Sequence, residues 1–239
     1  MRTIKTSLFS IFFLLATLCF GQQQPLNIEG NSWFPAEGLW IVKDNKLQQT
    51  DPTSPRAKIN LKVDQIGKVE YQFSIQQLKG LEDGYGGVGI HIMLKNPNQG
   101  IAWGNGQSYL LWLTYNEKTY GNSSLRAQVY ESINGSNMDL TSCKSLNCNQ
   151  FVGLLYDFGI PIRNIINLNS QKLEDLSFSV RIQVNSDDGH IKIKDPYHPL
   201  RWWHFFLGNN SINGTHVSLR TSSLSAIFDD IIIFSVQNP

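Results

Sequence analysis

Apolar and polar residues alternate with a period of two along most of this chain, the spacing expected of strands with one buried and one wet face. In Val69–Leu78 the sequence VEYQFSIQQL puts Val69, Tyr71, Phe73 and Ile75 on one side. Lys58–Val63 alternates as KINLKV, and Ser108–Tyr115 and Leu125–Ser132 continue the series. Turn residues punctuate it. Asp44-Asn45 joins Leu39–Val42 to Lys46–Thr50, and Ser186-Asp187-Asp188-Gly189 joins Leu176–Val184 to His190–Lys194, both good hairpin connections. Arg201–Leu207, His216–Thr221 and Ile227–Val236 bring the set to about a dozen strands, enough for two stacked sheets. Four glycines in Gly84–Gly89 precede Ile90–Leu94 and predict a bend or bulge where backbone is closely approached. Phe151–Ile166 is irregular, and one short helix is expected around Ile162–Leu168. The pattern as a whole predicts an all-β protein, an antiparallel two-sheet β-sandwich.

The N-terminus sets the compartment. Arg2 and Lys5 precede an apolar run from Leu8 to Phe20, with Cys19 and Gly21 as small residues before Gln22; residues 1–21 therefore read as a secretory signal peptide and 22–239 as a single β-sandwich domain. The apolar run is short for a membrane span, and no transmembrane segment is expected in the mature chain. Loss of the leader removes two cations and leaves 18 basic residues against 19 acidic ones. That balance gives no electrostatic reason to expect nucleic acid as a partner. Of three cysteines, Cys143 and Cys148 survive cleavage, and in an oxidising compartment they are expected to close a small disulfide loop. Four N-x-S/T sequons, at Asn122, Asn134, Asn209 and Asn213, lie in polar segments.

Candidate chemistry is sparse. There is no G-x-S-x-G, no H-E-x-x-H and no glycine loop opening a helix, so the usual hydrolase, zinc and phosphate signatures are absent. His91 and His204 read as packed or interfacial side chains. Aromatic residues are the more promising material, because flat rings with polar rims receive sugars and protein partners. Trp112 in SYLLWLTY reads as a buried strand residue, whereas Trp103 in GIAWGNGQS and Tyr197, Trp202 and Trp203 in YHPLRWW are binding or interface candidates. Glu82, Asp83, Asp187 and Asp188 are candidate ligands should the chain take calcium. No catalytic residue is assigned.

Trp40-x-Val42-x-Asp44-x-x-Leu47, the Val69–Ile75 strand, Gly86–Ile90 and Ala226-x-Phe228-Asp229-Asp230-Ile231 resemble the concanavalin-like jelly roll of laminin-G-type modules, lectins and family 16 glycoside hydrolases. The resemblance implies that fold over Trp33–Val236. Family 16 enzymes carry E-x-D-x-(x)-E on one strand, placing nucleophile and acid/base on one groove; this chain has no such phrase. Adjacent carboxylates such as Asp229-Asp230 are expected to point to opposite faces of a strand. Within the superfamily, the leader ending in CFGQ, the single 27.1 kDa sandwich and the GYGGVGIHI, SYLLWLTY, RWWHFF and SLRTSSLSAIFDDIIIF segments look like the FlaA-type outer-layer proteins of spirochaete periplasmic flagella. That resemblance implies a periplasmic sheath subunit contacting a flagellin core and other sheath proteins and supporting motility. The alternatives are a carbohydrate-binding laminin-G-type or lectin module, with a glycan as partner, and a divergent glycoside hydrolase.

Overall fold

A computed structural model describes residues 28–80, 85–97, 103–116, 125–134, 136–140, 177–194, 202–207 and 212–236. These residues form fourteen strands and, among themselves, no helix. In chain order the strands are β1 (Phe34–Glu37), β2 (Trp40–Lys43), β3 (Lys46–Gln49), β4 (Lys58–Gln65), β5 (Lys68–Gly80), β6 (Tyr85–Leu94) and β7 (Ser108–Asn116). They continue as β8 (Leu125–Ser132), β9 (Met138–Leu140), β10 (Ser177–Asn185), β11 (His190–Lys194), β12 (Trp202–Phe206), β13 (Gly214–Ser222) and β14 (Leu224–Val236). One sheet runs β1-β4-β13-β6-β7-β8-β9 and the other β12-β11-β10-β5-β14-β3-β2. Every pairing is antiparallel. The long crossovers between sequence-distant neighbours make this a two-sheet jelly roll, the sandwich that the alternation predicts with the topology that the resemblance implies. The signal segment 1–21, the expected helix at 162–168 and the cysteine loop all lie outside the described residues.

The inner faces carry the residues that the period of two selects. Val69, Tyr71, Phe73 and Ile75 of β5 are buried, and with Phe228 and Ile231 of β14 they meet Ile59, Leu61, Val88, Ile90, Ile92, Val217 and Leu219 of the opposite sheet. Asp44 and Asn45 both adopt positive φ, 53° and 55°, so the predicted hairpin turn is of the primed kind that matches strand twist. Asn45 also accepts the Ile28 N–H through Oδ1 at 2.6 Å, which fixes buried Ile28 over one end of the core.

Two strands escape the pattern. β9 is three residues long, and β1 contains Pro35. Proline lacks the N–H that a central strand needs, and β1 sits at a sheet edge, where that lack is tolerated. The glycine segment also differs from expectation. Residues 85–92 pair with β7 in unbroken register, so Gly86, Gly87 and Gly89 lie in a regular strand, not at a bend. At Asp229-Asp230 the expected opposition of faces does not hold. A register shift between Asp229 and Ile232 leaves Phe228 and Ile231 both in the core and puts both carboxylates outside it, with Asp229 held by Lys46 at 2.7 Å.

A polar tie crosses the core. Tyr71 of one sheet donates its hydroxyl to Gln65 Oε1 of the other at 2.7 Å. The same oxygen accepts the Met93 N–H at 2.8 Å, and Gln65 Nε2 donates to the His216 carbonyl. These are backbone groups freed where β13 slips register against β4 and β6, and Met93 there has φ 52°. Buried backbone groups left unpaired are costly, so one glutamine side chain makes the irregularity tolerable. Tyr71→Phe should cost about 1 kcal/mol of unfolding free energy, and Gln65→Leu, which orphans two buried donors, roughly 3 kcal/mol. Urea unfolding of the two variants checks this, and equal effects would contradict it.

Candidate functional site

The outer face of the first sheet is polar in sequence yet largely buried. Its strands present Lys58 and Asn60 from β4, Ser218, Arg220 and Ser222 from β13, and Gly87, Gly89 and His91 from β6. Ser108, Leu110 and Trp112 from β7 and Gln128, Tyr130 and Ser132 from β8 complete it. The cover is the β6–β7 connection, whose residues Trp103–Gln107 lie across these strands. Asn105 Nδ2 donates to Asn60 Oδ1 at 2.9 Å and its N–H to Ser132 Oγ at 3.0 Å. Ser132 Oγ donates to the Gly106 carbonyl at 2.7 Å. Lys58 Nζ donates to the Gly104 carbonyl at 3.0 Å, and Arg220 Nη1 donates to the Trp103 carbonyl. Gly106 turns the segment at φ 63°, and a Cβ there would sit 1.9 Å from the Asn96 carbonyl oxygen, so only glycine fits.

Arg220 is the centre of this arrangement. It is 2% exposed, and its guanidinium carbon lies 5.4 Å from the Trp103 ring centroid and 5.6 Å from that of Trp112. A cation against two indoles gains attraction from both ring quadrupoles. Arg56, half-buried, lies 5.8 Å from the Trp103 ring and 3.4 Å from Glu37 Oε1. The indole of Trp112 reaches this position because β6 has no side chains there. A Cβ on Gly87 would meet Trp112 at 2.3 Å, and one on Gly89 would meet it at 2.9 Å. The close approach expected of the glycines is real, and it is made by a ring lying on a flat strand.

Burial governs the electrostatics. Lys58 is pushed down to about 8, first by desolvation and next by Arg220, with Glu37 acting the other way. Desolvation also lowers Arg220 to about 10, opposed chiefly by Glu37. His91, fully buried and 3.0 Å from Ser108 Oγ, is held well below the usual histidine range by burial and then by the two cations, so it is neutral. His91 Nε2, Arg220 Nε, Ser222 Oγ and Glu37 Oε2 are buried without hydrogen-bond partners.

Trp103, expected as a binding candidate, is 47% exposed at the lip of this face. Trp112, expected in the core, is instead half-buried on the outer face, opposite Gln128 of the paired strand and on the face that Tyr130 and Tyr85 share. Trp202 lies on the outer face of the other sheet, 5.5 Å from Arg181 and 6.0 Å from Lys194, so the structure does not bring it together with Trp103. Trp203 occupies β12 opposite Ile193. Asp187 and Asp188 form an exposed turn in which Asp188 accepts the His190 N–H at 2.8 Å. Glu82, Asp83, Cys143, Cys148 and Tyr197 lie outside the described residues. Among the described residues no three His, Cys, Asp or Glu side chains gather as a metal site, and no helix is long and apolar enough to cross a membrane. Sequence reasoning missed Lys58, Arg220, Arg56 and Glu37. The signal for the first two was present as polar positions alternating with core positions, but only the covering segment reveals that they are buried.

No family model and no curated protein matches this chain. Several solved structures do. The carbohydrate recognition domain of Emp46p, in its metal-free form, aligns over 91% of this chain and 98% of its own at 11% identity and a TM-score of 0.52. The legume lectin-like domain from Entamoeba histolytica aligns over 88% and 92% at 12% identity and a TM-score of 0.51. A Bacillus subtilis protein of unknown function with a galectin-like fold aligns over 89% and 94% at 11% identity and a TM-score of 0.50. The shared property is the lectin-like jelly-roll fold.

Two outcomes check the site's physics. Gly87→Ala should displace Trp112 and cost about 1–3 kcal/mol by overpacking, read by chemical unfolding with tryptophan fluorescence. Lys58 falls from 10.5 to about 8 on folding, so the unfolded chain holds more protons between those values and folding is increasingly favoured as pH rises through that window. Unfolding free energy measured from pH 7.5 to 10 should climb more steeply in the wild type than in Lys58→Met, and parallel curves would refute the assignment.

Proposed function

We propose that this protein is an exported, non-enzymatic carbohydrate-binding module whose ligand seats on the outer face of the first sheet. The observation that carries this reading is the exposed Trp103 indole, which shares the Arg220 guanidinium with half-buried Trp112 on the face that Tyr85, Tyr130 and Gln128 also line. A sugar ring presents apolar C–H faces and a polar rim, and a flat aromatic platform edged by hydrogen-bonding groups complements both. The likeness of fold to a carbohydrate recognition domain and a legume lectin-like domain supports it. Glycoside hydrolysis calls for two carboxyl groups roughly 5–10 Å apart across such a face. Around Lys58 and Arg220 the carboxylate that acts on both, among the described residues, is Glu37.

A second reading, a sheath subunit of a periplasmic flagellum, rests on the sequence resemblance and is favoured by one observation. Edge strand β2 and its approach expose Leu39, Ile41 and Val42, and an apolar, unprotected edge invites assembly. Mass spectrometry of purified filaments, with and without Ile41→Lys, tests it. Stoichiometric presence that the variant abolishes would establish assembly, and absence would remove the reading.

For the leading proposal, a glycan array probed with the purified protein should give saturable binding to a restricted set of saccharides. Trp103→Ala should weaken that binding by at least about tenfold, as loss of a central aromatic anchor does, in protein that still unfolds cooperatively above the assay temperature. An array without any specific signal would overturn it.

A further inference from the structure

The outer face of the second sheet brings two histidines together at its β12 end. β11 and β12 pair so that Lys192 lies opposite His204 and His190 opposite Phe206, which makes His190 and His204 diagonal neighbours on one face, within reach of long side chains. Their rings meet: His190 Nε2 lies 3.1 Å from His204 Nδ1, with the ring planes 26° apart. His190 is held firmly. Its ring stacks on Phe206 with centroids 4.6 Å and planes 16° apart, its backbone N–H donates to Asp188 Oδ1 at 2.8 Å, and its strand is paired on both sides. Burial, then His204 and Lys192, hold His190 below the usual histidine range, with Asp188 acting the other way. Its ring is therefore largely neutral at pH 7, with a lone pair to offer. His204 is exposed, which opens the pair to solvent.

We propose that His190 and His204 form a two-imidazole site for a divalent first-row transition metal ion of the zinc, copper or nickel class. Neutral imidazole suits these ions, whereas calcium and magnesium take oxygen ligands. Two nitrogens about 2.1 Å from one tetrahedral ion lie roughly 3.4 Å apart, so the observed pair, at 3.1 Å, opens only slightly to admit it. Without metal, one N–H bridges the two facing nitrogens. Binding moves that proton to the far nitrogen of its own ring, and each ring stays neutral with its facing lone pair on the ion. Water fills the remaining positions. Lys192, opposite His204, sets a like charge beside the ion and keeps the affinity moderate, which Asp188 partly offsets. The ion clips β12, the last strand of its sheet, to β11. The site lies on the other sheet from the glycan face and does not depend on that reading.

Calorimetric titration of the full purified protein, prepared without a histidine tag, with zinc, copper, nickel and calcium chlorides tests the site. At least one of the three transition ions should bind with micromolar affinity, and calcium should not displace it. His204→Gln, at an exposed position, should weaken that binding by about tenfold or more, since loss of a ligating ring costs at least as much as loss of the groups that orient one. Saturating metal should raise the unfolding midpoint of the wild type, as any ligand of the folded state does, and leave that of His204→Gln unmoved. In nitrogen-15 spectra recorded with zinc, the ring signals of His190 and His204 should shift together. Binding by a single one of the three ions supports the proposal and identifies the metal. Equal affinity in the wild type and His204→Gln would place the ion elsewhere in the chain and overturn the proposal. Displacement by calcium, or failure of all three ions to bind, would overturn it as well.

Discussion

A guanidinium buried on the outer face of a sheet is the constraint around which one side of this sandwich is organised. Removing an ion from water costs several kcal/mol even after the protein relaxes, and Arg220 meets that cost with two indoles, a backbone carbonyl and the sulfur of Met138. Each partner imposes a condition elsewhere. Trp112 can lie beside Arg220 only because Gly87 and Gly89 vacate the neighbouring strand. Trp103 can do so only because Gly106 turns its segment back over the sheet, where Asn60, Asn105 and Ser132 hold it. The glycines of β6, the loop after it and a residue of the penultimate strand answer one requirement.

The sandwich itself was legible because its signal is repeated. Each strand sorts its own residues by a period of two, so an error in one does not propagate; Val69–Ile75 and Ala226–Phe228 reach the core as their spacing demands. Failures occur where a single local event breaks the period. Asp230 adopts φ 52° beside the register shift at Asp229, and one extra residue turns two carboxylates to the same side of the core. Pro35 hides a strand because its meaning depends on whether the strand is central or at an edge, which is a property of the assembled sheet.

The candidate site was legible in part, and the division follows the same logic. Exposure of Trp103 could be guessed from its loop of small polar residues. Burial of Lys58 and Arg220 could not, because a polar outer face ordinarily meets solvent, and a segment some fifty residues from Lys58 in sequence covers it here. Trp112 misled for the complementary reason: an aromatic among leucines reads as core, while the glycines that reserve an outer seat for it lie in the paired strand.

The two sheets hold their cations in different ways. On the second sheet Arg181 reaches buried Glu70, while Lys194 lies beside Trp202 at the partly exposed margin; solvent and a carboxylate screen what the strands present. On the first sheet, Lys58 and Arg220 donate to the loop carbonyls of Gly104 and Trp103 under a cover that excludes water. Effective dielectric falls with burial, so the same cation projects a longer-ranged field from under that cover than from the surface. A partner that docks on this face therefore meets the exposed Trp103 indole next to Arg56, because the cations behind it are covered.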